Sequence, residues 1–214
     1  MIVALLCRKT RDMERNFIEA LEHRRSHYAI SAAMSASVEE IVNTIDRIML
    51  AMPSAYNSQS SRVVILMGVH HICLWGIVKQ CLAKLVTPEV FVGTRTKIDT
   101  CFAAGCGTVL FYEDMDIVAK MKEQFELYAD KFNEYSAHTS AMHQIAIWTA
   151  LEELGFGCSL QHYNPLIDTQ IAQQWNIPKE WKLIAQMPFG TPLQEPGVRE
   201  QHLPLDKRRW VFSE

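Results

Sequence analysis

The chain has 214 residues, is 49% hydrophobic and 21% charged, and carries a formal net charge of -3. That is enough apolar material for one sizeable core, and the interspersed charges offer neither a basic stripe for nucleic acid nor an acidic tail. No apolar run approaches a bilayer span and residues 2–7 are too few for a signal-peptide core, so the expectation is one cytoplasmic domain over 1–214 with no membrane partner.

In chain order, residues 12–24 place Met13, Phe17, Ile18 and Leu21 at helical spacing. Ser37 with Glu40 three residues on forms a capping box for a second helix, whose inward face is Ile41, Val42, Ile45, Ile48 and Met49 until Pro53 stops it. Residues 62–67 read as a buried strand ended by Gly68, and 70–85 as a helix with Trp75, Val78 and Leu82 inward. After Pro88 the pattern gives a loop and a short helix, then a second strand at 107–112. Two long helices follow, 115–128 and 139–154, the second turning Met142, Ile145, Ala146 and Leu151 to the core before Gly155 and Gly157 end it. Asp168 is the expected cap of a helix reaching Trp175, closed by Ile177-Pro178. A third strand is expected over 181–187 and a short terminal one over 210–212. Few strands separated by helices favour a small sheet layered between helices over a doubly wound Rossmann domain. Six cysteines without a C-x-x-C pair suit reduced, packed thiols.

Two segments stand out chemically. Arg24-Arg25-Ser26 puts two fixed cations and a hydroxyl at a helix end, a set able to grip a phosphomonoester. The same cations complement a helix macrodipole, and composition alone favours that simpler role. The turn Pro53-Ser54-Ala55-Tyr56-Asn57-Ser58-Gln59-Ser60-Ser61 carries more hydrogen-bonding side chains than a tight turn needs. Its amides suit the edge of a planar heterocycle with alternating carbonyls and N–H groups, although a loop satisfied by water accounts for it equally well. His23 and His27 have a zinc-compatible spacing, but Arg24 and Arg25 stand between them, and His70, His71, His138 and His143 lack a compact ligand set. Gly105-x-Gly107 precedes a strand where a dinucleotide loop would follow one.

Pro53 to Val64, P-S-A-Y-N-S-Q-S-S-R-V-V, resembles the signature of the nitroreductase superfamily, in its Frm2-like (fatty acid repression mutant-like) branch of fungal and bacterial FMN oxidoreductases. Arg24-Arg25-Ser26, Lys97-Ile98-Asp99, Gly107-Thr108-Val109-Leu110-Phe111, Leu127-Tyr128-Ala129-Asp130, the run from Ser159 to Asp168 and Ile184 to Gly190 are similar to that branch in the same order. Cys106 departs from it by standing where an aromatic is expected.

The resemblance implies an α+β fold, a three-layer α-β-α sandwich around a small central sheet, and a homodimer with intertwined termini that shares its FMN sites. It implies that Arg24, Arg25 and Ser26, with Arg208 from the tail, hold the phosphate and ribityl chain. Asn57 and Gln59, with Ser54 and Ala55 supplied by the partner chain, would lie along the isoalloxazine. Ser159, Leu160 and Gln161 would pass beside the ring, and Lys97 would stand near its pyrimidine edge. The implied activity is ping-pong transfer from NADH or NADPH through flavin N5 to small acceptors such as nitroaromatics or quinones, with no catalytic side chain. A regulatory or stress-response FMN protein of low turnover shares these residues, whereas a metal-dependent hydrolase lacks a ligand set.

Overall fold

The computed structural model describes residues 15–200 and 203–213. Its helices are α1 (Phe17–His23), α2 (Val38–Ala51), α3 (Val69–Leu82), α4 (Pro88–Lys97), α5 (Met115–Gln124), α6 (Phe132–Glu153) and α7 (Asp168–Trp175). Its strands are β1 (Ile30–Ser31), β2 (Ser61–Met67), β3 (Gly107–Asp114), β4 (Gly157–Cys158) and β5 (Trp181–Pro192). These strands pair antiparallel in the order β1-β5-β3-β2, with β4 joined to the end of β5.

Two-residue periodicity divides the apolar side chains between two helical layers. Val109 and Phe111 of β3 and Ala185, Met187 and Phe189 of β5 pack with Ile41 and Ile45 of α2 and Ile147 and Leu151 of α6. Leu110 and Tyr112 of β3 turn the other way, toward Leu74, Trp75 and Val78 of α3 and Ile171 of α7. Helices therefore cover both faces, and β3 is buried at every position. This is the expected α-β-α sandwich.

The capping box at the start of α2 is present: Ser37 Oγ accepts from Glu40 N–H at 3.1 Å and the Glu40 carboxylate accepts from Ser37 N–H at 3.0 Å. Elsewhere the structure corrects the reading. α1 starts after Asn16, which builds a second capping box with Glu19. Met13 lies outside the described residues, while Phe17 and Ile18 are exposed and Ala20 is the buried position. Pro88 opens α4 instead of a loop, because the first helical turn needs no N–H there. α6 starts at Phe132, earlier than expected, and buries Ser140, His143 and Gln144 while Met142 and Ile145 face outward. Asp168 is the first residue of α7 and not its cap, and its Oδ1 is buried without a partner. β5 runs five residues past the expected end, and 210–212 form no strand but an exposed tail.

Candidate functional site

α1 is capped by Arg24, whose non-helical backbone turns the chain alongside β4. His27 N–H donates to Cys158 O at 2.9 Å and Ser26 bridges Cys158. Gly157 allows this approach, since a Cβ there would lie 2.6 Å from the His27 Cβ. The Arg24 guanidinium lies 4.4 Å over the Trp148 ring. Arg25 donates its backbone N–H to Glu152 at 2.9 Å and its guanidinium to Gly197 O. Arg199 donates to the carbonyls of Glu22 and Arg24 at 2.9 and 2.7 Å, so a third cation stands at the end of α1. Arg25, His27 and Glu152 line one side of a cavity of about 590 Å³.

Glu152 is the buried carboxylate behind these cations. It accepts from Trp148 Nε1 at 2.8 Å as well as from Arg25 N–H, and His27 Nε2 is 3.9 Å away. Burial raises its pKa to about 7 against the opposing pull of those hydrogen bonds and of Arg24. Burial also lowers the pKa of His27, which favours the neutral ring.

Past Cys158 the chain is pinned to β5. Ser159 N–H donates to Pro188 O at 3.3 Å, and Gln161 exchanges backbone bonds of 2.7 and 2.9 Å with Gln186. The Gln161 amide donates to Ser159 Oγ at 3.1 Å, and Leu160 between them is half-buried. Lys97 joins through aromatic rings, its Nζ 6.0 Å from Tyr28 and 5.8 Å from Phe102. The Ser26–Cys158 pairing thus sets Arg24, Arg25 and Ser26 next to the segment Ser159, Leu160 and Gln161, while Lys97 is linked to this region through Tyr28. The set is rich in guanidinium, hydroxyl and amide donors, which fits a phosphomonoester joined to a carbonyl-bearing ring.

The polar turn lies elsewhere. Tyr56, between Ala55 and Asn57, packs on Phe132 at the start of α6 with ring centroids 5.6 Å apart, whereas Arg24 rests on Trp148 of the same helix. Those two positions are roughly 24 Å apart at about 1.5 Å per residue. Within one chain Ser54, Ala55, Asn57 and Gln59 are therefore not brought to the arginines. The turn is tightly determined: Gln59 N–H donates to Ser54 Oγ at 3.0 Å, its amide to Asn57 Oδ1 at 3.0 Å, and Arg62 to Gln59 O at 2.7 Å. Tyr56, Asn57 and Gln59 adopt φ of 54, 52 and 51°, a left-handed region that costs non-glycine residues about 1 kcal/mol or more each. Ser60 and Ser61 then donate to the buried Glu113, anchoring the turn to β3.

Arg208 follows a short turn, Leu205–Lys207, in the exposed tail. Within this chain the cation beside Arg24 is Arg199, which sequence reasoning missed along with Trp148 and Glu152. Trp148 and Glu152 stand four residues apart on a strongly helical stretch, the spacing of side chains that meet, and that was the available signal. Among the described residues no group of three or more His, Cys, Asp or Glu is arranged to hold a metal, and no helix is long and apolar enough to cross a membrane.

The sequence profile of the nitroreductase family matches residues 21–191. Nitroreductase FRM2 of Saccharomyces cerevisiae is 31% identical over 183 residues, covering 85% of this chain and 90% of that protein. Nitroreductase CinD from Lactococcus lactis, solved in complex with chloramphenicol, is 38% identical, with a TM-score of 0.82 over 93% of this chain and 100% of its own; it has also been solved with nicotinic acid and with 4-nitrophenol. A protein of Exiguobacterium sibiricum solved with FMN shares the fold, with a TM-score of 0.66 at 13% identity over 94% of this chain and 100% of its own.

Proposed function

The chain belongs to the nitroreductase family and is a flavin oxidoreductase of that type; on that premise we propose that it is a single-domain, homodimeric FMN enzyme that takes hydride from NADH or NADPH and reduces flat acceptors such as nitroaromatics and quinones. The observation that carries this reading is the Ser26–Cys158 bridge, which sets the arginine pair beside the 159–161 segment. The FMN bound by the Exiguobacterium protein and the small aromatic ligands of CinD agree with it.

When bound, FMN supplies the redox chemistry, accepting electrons from the nicotinamide in one half-reaction and passing them to the acceptor in the next. The chain's own part is to bind and orient. Arg24, Arg25 and Ser26 would hold the phosphate, with Arg208 of the tail as a further cation for it. Ser159, Leu160 and Gln161 would hold one edge of the ring, and Lys97 would supply a cation able to stabilise negative charge on the reduced flavin. Ser54 and Ala55 would come from the second copy, as the resemblance implies, and Asn57 and Gln59 with them, because one chain holds all four at the far end of α6.

The test is the visible spectrum of the purified protein before and after anaerobic NADH or NADPH, followed by a nitroaromatic or a quinone. Flavin absorbance that bleaches and then returns with the acceptor is the expected result. A colourless protein that FMN cannot reconstitute overturns the reading. Colour restored by oxygen alone transfers the protein to the low-turnover, regulatory class.

A further inference from the structure

Glu152 joins both arginines at once. One carboxylate oxygen accepts the Arg25 backbone N–H at 2.9 Å, and the other accepts Trp148 Nε1 at 2.8 Å, fixing the indole on which the Arg24 guanidinium rests at 4.4 Å. It is only 5% exposed, so water screens it weakly. Resting on the reading of Arg24 and Arg25 as a phosphate grip, we propose that Glu152 is the positioning residue of that grip and that its negative charge restrains phosphate affinity, a restraint released when the carboxylate takes up a proton.

Glu152 is faced by groups from the segment after α1, from its own helix and from β4, and His23 of α1 lines the same cavity 4.0 Å from Glu153. From the segment after α1 come Arg24, a permanent cation, and His27, whose ring burial keeps neutral. From its own helix comes Glu153, engaged with Arg15 at 3.0 Å, and from β4 comes Cys158, a thiol held neutral by complete burial. Arg199 stands beside Arg24, and Glu195 acts on His27. The raised pKa of Glu152, about 7, places its ionisation in the working range. A phosphate on Arg24 and Arg25 brings a dianion next to this carboxylate, and like charges favour proton uptake. By linkage, FMN should bind more tightly below neutrality and more weakly as pH rises through 7.

A phosphate ester alone gives the opposite slope. Its second ionisation falls near pH 6, so a purely cationic grip holds or gains affinity as pH rises. The experiment is fluorescence titration of the full-length apoprotein with FMN and with riboflavin from pH 6.5 to 8.5, for wild type and Glu152→Gln. For wild type, the FMN dissociation constant should rise roughly three- to thirtyfold across that range while that of riboflavin stays level. Glu152→Gln, which removes the charge and can accept from only one of the two N–H donors, should abolish the slope whatever its absolute FMN affinity. A wild-type FMN affinity that is level or improves with pH overturns the proposal without any variant, so a misfolded Glu152→Gln leaves it decidable. A wild-type slope that persists in a folded Glu152→Gln also overturns it. If neither flavin binds, or Arg24→Ala weakens FMN and riboflavin equally, the phosphate grip itself falls, an outcome distinct from loss of the slope alone.

Discussion

Because Arg25 meets Glu152 through its backbone and Gly197 through its side chain, Arg25→Ala removes the guanidinium and leaves the backbone bond in place. A side chain that only complements the end of α1 would cost a few tenths to about 1 kcal/mol of stability and leave FMN affinity unchanged. A phosphate ligand behaves differently. Arg25→Ala should weaken FMN by roughly 1.5–3 kcal/mol, about ten- to more than a hundredfold, with riboflavin much less affected. Arg208→Ala, measured in the same titration, decides whether the tail reaches the same phosphate; equal losses for the two flavins would remove either residue from the site. A second residue-scale outcome concerns His71. Its Nε2 faces Ala103 O at 3.3 Å, which can only accept, so Nε2 carries the proton and Nδ1 accepts from the Thr108 hydroxyl at 2.8 Å. Burial holds its pKa down to about 4. The depressed folded value means that its contribution is full above about pH 6.5 and is lost as pH falls toward 4, a loss of about 3 kcal/mol. Thermal melts should show wild type losing more stability than His71→Gln over that interval; parallel curves would contradict it.

Among the elements, α2 was readable because its capping box and apolar stripe agree. The strands β2 and β3 were readable as apolar runs between turns, whereas β1 and β4, two residues each, exist only through their pairing with β5. α6 was misread for a physical reason. Its polar residues Thr139, His143 and Thr149 meet their hydrogen-bonding needs on carbonyls of the preceding turn or on neighbours, so they can be buried, and the apolar stripe stops being a guide. The candidate site divides similarly. Arg24-Arg25-Ser26 and the polar turn were legible as unusual clusters, but their separation along α6 and the roles of Trp148 and Glu152 required the fold. Gly157 is the element-level test of that fold. Gly157→Ala puts a methyl against the His27 side chain and Pro192, so β4 and the 24–28 segment must part. We expect a stability loss of about 1–3 kcal/mol by chemical denaturation, together with weaker binding of FMN and riboflavin alike. Unchanged stability would mean that this contact yields without cost.

At the scale of the whole molecule, the tail leaves apolar side chains uncovered. Trp210 is 72% exposed and Phe212 97% exposed, with Leu203, Leu205 and Val211 also uncovered, more apolar surface than a lone chain normally shows. Sedimentation should give a homodimer at micromolar concentration, and deletion of 210–212 should shift it toward monomer with loss of bound flavin; a monomer carrying a full complement of flavin would refute the shared site. The length of α6 between Phe132, on which Tyr56 packs, and Trp148 has a genetic corollary. In the proposed dimer each chain would contribute the head of one catalytic unit and the tail of another, so defects at the two ends would be complementary. A chain disabled at Arg25 and a chain disabled at Gln59 would each be inactive alone, yet in a co-expressed mixture half of the dimers pair one with the other. Each such hybrid rebuilds one undamaged centre and gathers both lesions into the second, so roughly a quarter of all centres should recover activity from two dead parents.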